Sequence, residues 1–216
     1  MSSQRLSGKV AIVTGAGFGF GAGITEKFVA EGAKVVLVDI NAANGESVAA
    51  AQPQGSAVFL QGDVTSEADW RKALDLATRS FGRLDVVVNN AGIVNKAIVR
   101  ISPPQKCALR PRPNLVWYAA SKGAASAATK GLAAELAKDN IRCNAICPVA
   151  GETAMIPLFL GKPDTPENRK QILSGIPLGR FATPADIANA AAFLASDEAA
   201  FITGIELPVD GGRSLN

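Results

Sequence analysis

Tyr118 and Lys122 stand four residues apart in Trp117-Tyr-Ala-Ala-Ser-Lys-Gly-Ala124, inside an alanine-rich stretch that predicts a helix from Tyr118 to about Lys138. On one helix face their Cβ atoms would lie about 5–6 Å apart. A free phenol titrates near pH ~10 and carries protons poorly at neutrality, whereas a neighbouring ammonium favours the phenolate. The same spacing also suits a surface tyrosine resting on a lysine stem. What surrounds the pair has to separate acid–base chemistry from packing.

Composition removes several competing chemistries. The chain has no histidine, so Ser-His-Asp hydrolysis, Cys-His catalysis and histidine-ligated metal sites are excluded, and no metal is expected. Cys107, Cys143 and Cys147 fit neither a disulfide framework nor a zinc spacing. Cys143 and Cys147 fall on one face of a predicted strand, as reduced, buried thiols would. The net charge of +3, from 22 basic and 19 acidic residues, is too small to imply nucleic acid or a membrane surface. Arg100, Lys106, Arg110 and Arg112 are interspersed with prolines and read as a solvated loop. The first nine residues lack an apolar signal core and no run is long enough to span a bilayer, so a cytoplasmic location is expected.

The elements that must position the pair alternate strand and helix. At 216 residues, 48% hydrophobic and 19% charged, the chain is expected to form one dinucleotide-binding domain over 1–216 with a substrate-loop region at about 151–183. Lys9–Thr14 and Lys34–Asp39 are β-branched runs suited to strands buried on both faces. Ala57–Gln61, Leu84–Gly92, Ile141–Cys147 and Ile205–Asp210 read as further strands. Helices are predicted over Ile24–Gly32, about 42–51, Ser66–Phe81, about 166–173 and Pro184 to about Ser196, the last capped by Thr183. That alternation implies an α/β fold with a Rossmann-like, doubly wound parallel sheet.

Thr14-Gly-Ala-Gly-Phe-Gly-Phe-Gly21 lies between the first strand and its helix. Glycines there let a backbone approach a pyrophosphate at a helix N-terminus, and equally make a tight βα turn. Asp39 ends the second strand, eighteen residues beyond Gly21. A carboxylate at that place accepts both ribose hydroxyls of NAD and repels the extra phosphate of NADP. No Lys or Arg in the turn or at Ile40 and Asn41 would welcome that phosphate, so NAD is favoured over NADP. Asp63 could hold an adenine edge or cap the next helix.

Taken together, Thr14–Gly21, Asp63-Val64, Asn89-Asn-Ala-Gly92, Tyr118-Ala-Ala-Ser-Lys122 and Pro208-Val-Asp-Gly-Gly212 resemble the short-chain dehydrogenase/reductase family. They resemble 3-oxoacyl-carrier-protein reductases and glucose-dehydrogenase-like members of it. The resemblance covers residues 5–92 and 108–214. It implies that Tyr118 exchanges a proton with a substrate oxygen, and that Lys122 lowers its pKa and holds the nicotinamide ribose. Gly15, Phe18, Gly19, Gly21, Asp39, Asp63 and Val64 would contact the cofactor, as would Asn90, Ala91 and Gly92. Pro148, Val149 and Thr153 would line the nicotinamide, Val149 replacing the family's usual glycine. Phe18 stands where a small residue is commoner.

The chain departs from the family between Gly92 and Tyr118. A long helix carrying an asparagine, then a strand ending in a catalytic serine, belong there. Counting back from Tyr118, Gln105 takes the serine's place, while Ser102 is the third catalytic candidate although it sits further upstream. Only seven residues separate Asn90 from a short predicted strand at Ile98–Ser102. They would span about 10 Å as a helix or about 23 Å extended, too little to cover a sheet. One crossover helix is therefore missing. That helix pairs subunits in the family, so the usual homo-oligomer is not expected. A loss this sharp matches a skipped exon or a misjoined gene.

Two functions follow. The first is an oxidoreductase transferring a hydride between NAD(H) and a small secondary alcohol or ketone. The second is a catalytically impaired relative that only binds the dinucleotide.

Overall fold

The computed structural model describes residues 4–92, 116–152 and 163–215. These fall in two compact units, one formed by residues 1–92 with Ile187–Glu198 and the other by 93–186 with 199–216.

In the first unit, β1 (Val10–Thr14), β2 (Lys34–Asp39), β3 (Ala57–Gln61) and β4 (Val86–Val88) form a parallel sheet in the order β3-β2-β1-β4. Every residue of β1 and the four central residues of β2 are buried, as expected of strands covered on both faces. α1 (Gly19–Ala30) packs on β1 and β2, and α2 (Ala42–Ala50) on β2 and β3. α3 (Glu67–Phe81) closes a cluster in which Ala73 and Ala77 meet Val10, Ile12, Val36 and Val38.

Local signals set the boundaries. Asn41 Oδ1 accepts from Asn44 N to cap α2, and Ser66 Oγ accepts from Asp69 N to cap α3, each satisfying an N–H that a helix start leaves unpaired. Gly82 ends α3 at φ 82°, the left-handed cap glycine tolerates. β4 is shorter than the predicted Leu84–Gly92 because side chains replace the ladder at both ends. Asp85 Oδ2 takes Val10 N at 2.9 Å, and beyond Val88 the chain bonds to Thr14.

The second unit contains α4 (Val116–Leu136), β5 (Ala145–Pro148), α5 (Pro166–Leu173) and β6 (Glu206–Val209). β5 and β6 pair in parallel. The predicted strand Ile141–Cys147 begins only at Ala145. Cys143 N donates to Thr203 Oγ1 and Asn144 Nδ2 to Ile202 O, while Asn144 Oδ1 accepts from Ile205 N. Side chains thus join these two segments where the regular ladder has not begun. Cys143 and Cys147 are half-buried, less enclosed than expected, since both lie in or beside a strand whose residues are all half-buried. α6 (Pro184–Ala195) starts in the second unit and belongs to the first from Ile187. Its start is a reciprocal cap: Asp186 N donates to Thr183 Oγ1, and Asp186 Oδ2 accepts from Thr183 N and Oγ1. Among the described residues no helix is long and apolar enough to cross a membrane. The predicted strand Ile98–Ser102 lies outside them.

Candidate nucleotide site and proton-transfer pair

Parallel pairing puts the C-terminal ends of β1, β2, β3 and β4 along one edge of the first sheet. The chain runs outward from β1 through β2 to β3 and then returns to the other side of β1 with β4. The switch therefore falls between β1 and β4, where open parallel sheets form ligand crevices.

At this switch Thr14 is 1% exposed, a polar side chain at the end of an otherwise apolar strand. Its hydroxyl donates to Val88 O at 3.2 Å and accepts from Asn90 N at 3.1 Å and Ala91 N at 3.0 Å. One donor and two acceptor positions are all that a hydroxyl has. Asn90 Nδ2 answers by donating to Thr14 O and Gly15 O at 3.0 and 3.1 Å. The candidate residues Gly15, Asn90 and Ala91 are thereby brought together around Thr14, whose part the residue types alone do not reveal. A hydroxyl inside a buried strand is the signal that could have found it, because such a group must be satisfied.

The glycines close the turn. Gly15 has φ 62°, and a Cβ there would stand 2.9 Å from Ala91 Cα. A Cβ on Gly21 would collide with Gly15 O and stand 2.6 Å from Asn90 Nδ2. Gly19 is the first residue of α1, which starts five residues before the predicted Ile24 because these glycines form its opening turn. Phe18 is the extended N-cap, 46% exposed, and provides no side-chain acceptor; the first turn of α1 holds no acidic residue. A helix start of that kind suits an anion. Gly92 is exposed, with open space where a Cβ would go.

Asp39 reaches the same turn from β2. Its Oδ2 accepts from Gly17 N at 2.8 Å and its Oδ1 from Asn41 N at 2.9 Å. A carboxylate offers about four acceptor sites, so this group is oriented and keeps capacity for ribose hydroxyls.

Beyond β3, Asp63 Oδ1 accepts from Thr65 N and Thr65 Oγ1, both at 2.8 Å. These bonds hold its carboxyl below the usual range. Asp63 shapes the turn before α3, while the cap belongs to Ser66. Val64 O accepts from Trp70 Nε1 at 3.0 Å. Asp63, Val64 and Trp70 pack beside Thr14 and Val38, and Trp70 is a residue that the motif pattern left out. The donors and acceptors present fit a dinucleotide: a glycine turn at a helix start and a positioned carboxylate at the end of the neighbouring strand.

In the second unit Tyr118 and Lys122 lie in the first two turns of α4, four residues apart as predicted, and Lys122 is exposed. Pro148 ends β5 opposite Val209, and Val149 is buried, its N donating to Val209 O at 3.3 Å. Ser102, Gln105 and Thr153 lie outside the described residues.

A parallel α/β sheet with a glycine turn at its switch point and an acidic residue ending the second strand defines a dinucleotide-binding oxidoreductase scaffold. The short-chain dehydrogenase profile matches residues 9–107, and the enoyl-(acyl carrier protein) reductase profile matches 97–214. The chain is 40% identical to 4-formylbenzenesulfonate dehydrogenase TsaC1/TsaC2 of Comamonas testosteroni, covering 98% of this chain and all of that one. It is 35% identical to cyclopentanol dehydrogenase of Comamonas sp., covering 98% and 99%. Among solved structures, 3-ketoacyl-(acyl-carrier-protein) reductase from Brucella melitensis complexed with NADH superposes with a TM-score of 0.82 at 38% identity, covering 97% of this chain and 99% of that one. The chain belongs to the short-chain dehydrogenase/reductase family of oxidoreductases, which use a nicotinamide dinucleotide. The first alignment runs to 252 positions against 216 residues here, so at least 36 positions (252 − 216) have no counterpart in this chain.

Proposed function

We propose that the chain interconverts a secondary alcohol and its ketone, using NAD(H) in preference to NADP(H). The Asp39 carboxylate carries the cofactor choice: at the end of β2 it is held by Gly17 N and Asn41 N where a 2′-phosphate would meet a negative charge. When bound, the nicotinamide supplies or accepts the hydride. Tyr118 moves the proton at the substrate oxygen, and Lys122, one helical turn on, favours its phenolate and binds the ribose. Gly15 to Gly21 with Asn90 to Gly92 hold the pyrophosphate side, Asp63 and Val64 the adenine side, and Pro148, Val149 and Thr153 the nicotinamide. Ser102 is assigned as the third catalytic residue. Cyclopentanol dehydrogenase, by its name, acts on a secondary alcohol, which supports that substrate class. The cytosol is the compartment proposed, and an oligomer of the family kind is not part of the assignment.

Fluorescence titration should show NADH binding about tenfold or more tighter than NADPH; equal affinities overturn the choice of NAD. Ketone reduction should be lost in Tyr118→Phe, and an unchanged rate in that variant sinks the proton-transfer assignment.

A second function is favoured by the alignment positions without counterpart and by the two profiles meeting at 97–107, in the interval where the serine and asparagine belong. In that case the chain binds the dinucleotide and does not turn over. NADH binding with no reduction across a ketone panel selects it.

A further inference from the structure

Asp39 is one of four residues that close a ring at the end of β2. Gly17 N donates to Asp39 Oδ2 at 2.8 Å, and Asn41 N to Asp39 Oδ1 at 2.9 Å. Asn41 Oδ1 in turn accepts from Asn44 N at 3.1 Å, and Asn44 leads back to Gly17. A Cβ on Gly17 would stand 3.0 Å from Asn44 Cβ and 3.0 Å from Asp39 Oδ2, so the absent side chain is what admits both residues. A second glycine brings α2 within reach. A Cβ on buried Gly45 would collide with the Phe59 ring, so its absence lets α2 lie against β3 with Asn44 in its first turn. The N–H groups of Gly17, Asn41 and Asn44 are used inside the ring. The exposed Asn44 carboxamide has no partner among the described residues.

We propose that Asn44 is a further cofactor-binding residue, donating from Nδ2 to the adenosine-ribose 2′-hydroxyl that itself donates to Asp39. This role rests on the dinucleotide reading of Asp39 and needs no turnover. An ionised carboxylate only accepts, so it takes the single O–H of a ribose hydroxyl. The oxygen's lone pairs then call for a donor. The carboxamide packed on the same glycine brings an NH2 group and adds no charge. A 2′-hydroxyl is thereby satisfied in both directions, whereas an ionised phosphate has no proton to give Asp39. Asn44 is also a position where binding and folding separate. It is exposed on a helix, where alanine is the better helix former, and an acidic residue in the first turn suits the helix dipole.

The full chain is titrated with NADH, with NADH lacking the 2′-hydroxyl of its adenosine ribose, and with NADPH, reading nicotinamide fluorescence. Asn44→Ala should weaken NADH about fivefold and leave the deoxy form within about twofold of wild type. Asn44→Asp keeps the shape but sets an acceptor and a second negative charge beside Asp39, so NADH should weaken about tenfold or more. Neither variant should lower the thermal midpoint. NADH affinity within about twofold of wild type in both variants overturns the proposal. An equal loss on the two forms of NADH overturns it as well, because Asn44 would then only support the turn. If the wild type binds NADH and NADPH alike while the hydroxyl-dependent loss persists, the choice of NAD falls and the Asn44 contact stands. A clear preference for NADH that neither variant disturbs does the reverse.

Discussion

The sheet of the first unit and the paired strands of the second are built on different principles. β1 is buried throughout, and Phe28 of α1 is fully enclosed. In the second unit β5 is half-buried at every residue, and α4 buries Ala119 and Ala133 while Leu132 stays 47% exposed. Ion pairs tie both units, Arg5 and Lys27 to Glu31 in the first and Lys130 to Glu206 and Arg180 to Asp186 in the second, so it is burial that distinguishes them. The contrast separates a sheet enclosed by apolar side chains from a pair of strands that stay half-buried along their length.

The comparison breaks most readily at its cores. Phe28→Ala should cost about 3–5 kcal/mol, whereas Leu132→Ala should cost less than about 1 kcal/mol; urea unfolding of the two variants measures the difference, and equal costs would end the contrast. Next comes Thr14→Val, which keeps shape but leaves Asn90 N and Ala91 N without their acceptor. It should cost about 1–3 kcal/mol and weaken NADH binding, and Thr14→Ser should restore most of both.

The smallest effects are in acid. Burial raises the Asp85 carboxyl, but the hydrogen bonds from Arg83 and Val10 N outweigh it and the net direction is downward. Asp186 lies further below the carboxylate range, held first by Arg180 and then by Thr183. A carboxyl depressed in the folded state contributes stability that is present above its unfolded value, near pH ~4, and is lost as pH falls through the folded one. Asp186→Asn should therefore flatten the acid limb of the stability curve more than Asp85→Asn, as thermal midpoints measured from pH 6 down to pH 2 would record.

The sequence reveals most where burial dictates the pattern. β1, β2 and β3 fall within a residue of expectation because an apolar, β-branched run between turn residues has few other uses. The starts of α1 and β5 were hidden for opposite reasons. Glycines carry a helical penalty, so the first turn of α1 looks like loop until Gly21 is seen to need its missing Cβ. Arg142, Cys143 and Asn144 look like strand, but Cys143 and Asn144 reach the segment before β6 through side-chain bonds. In the candidate site, motif order carried the glycines, Asp39 and Asn90. Thr14 and Trp70 act through partners 6 to 77 residues away in sequence, and only folding shows those pairings.

The bond from Gly17 N to Asp39 would make the proposed cofactor preference a property of two loops at once. Replacing Asp39 to admit NADP would take away the acceptor that orients the glycine turn, so the binding lost would include the pyrophosphate as well as the ribose. Under the proposed preference for NAD, a lineage moving to the NADP pool would need to rebuild the turn in the same step. That coupling makes the acidic residue costly to exchange.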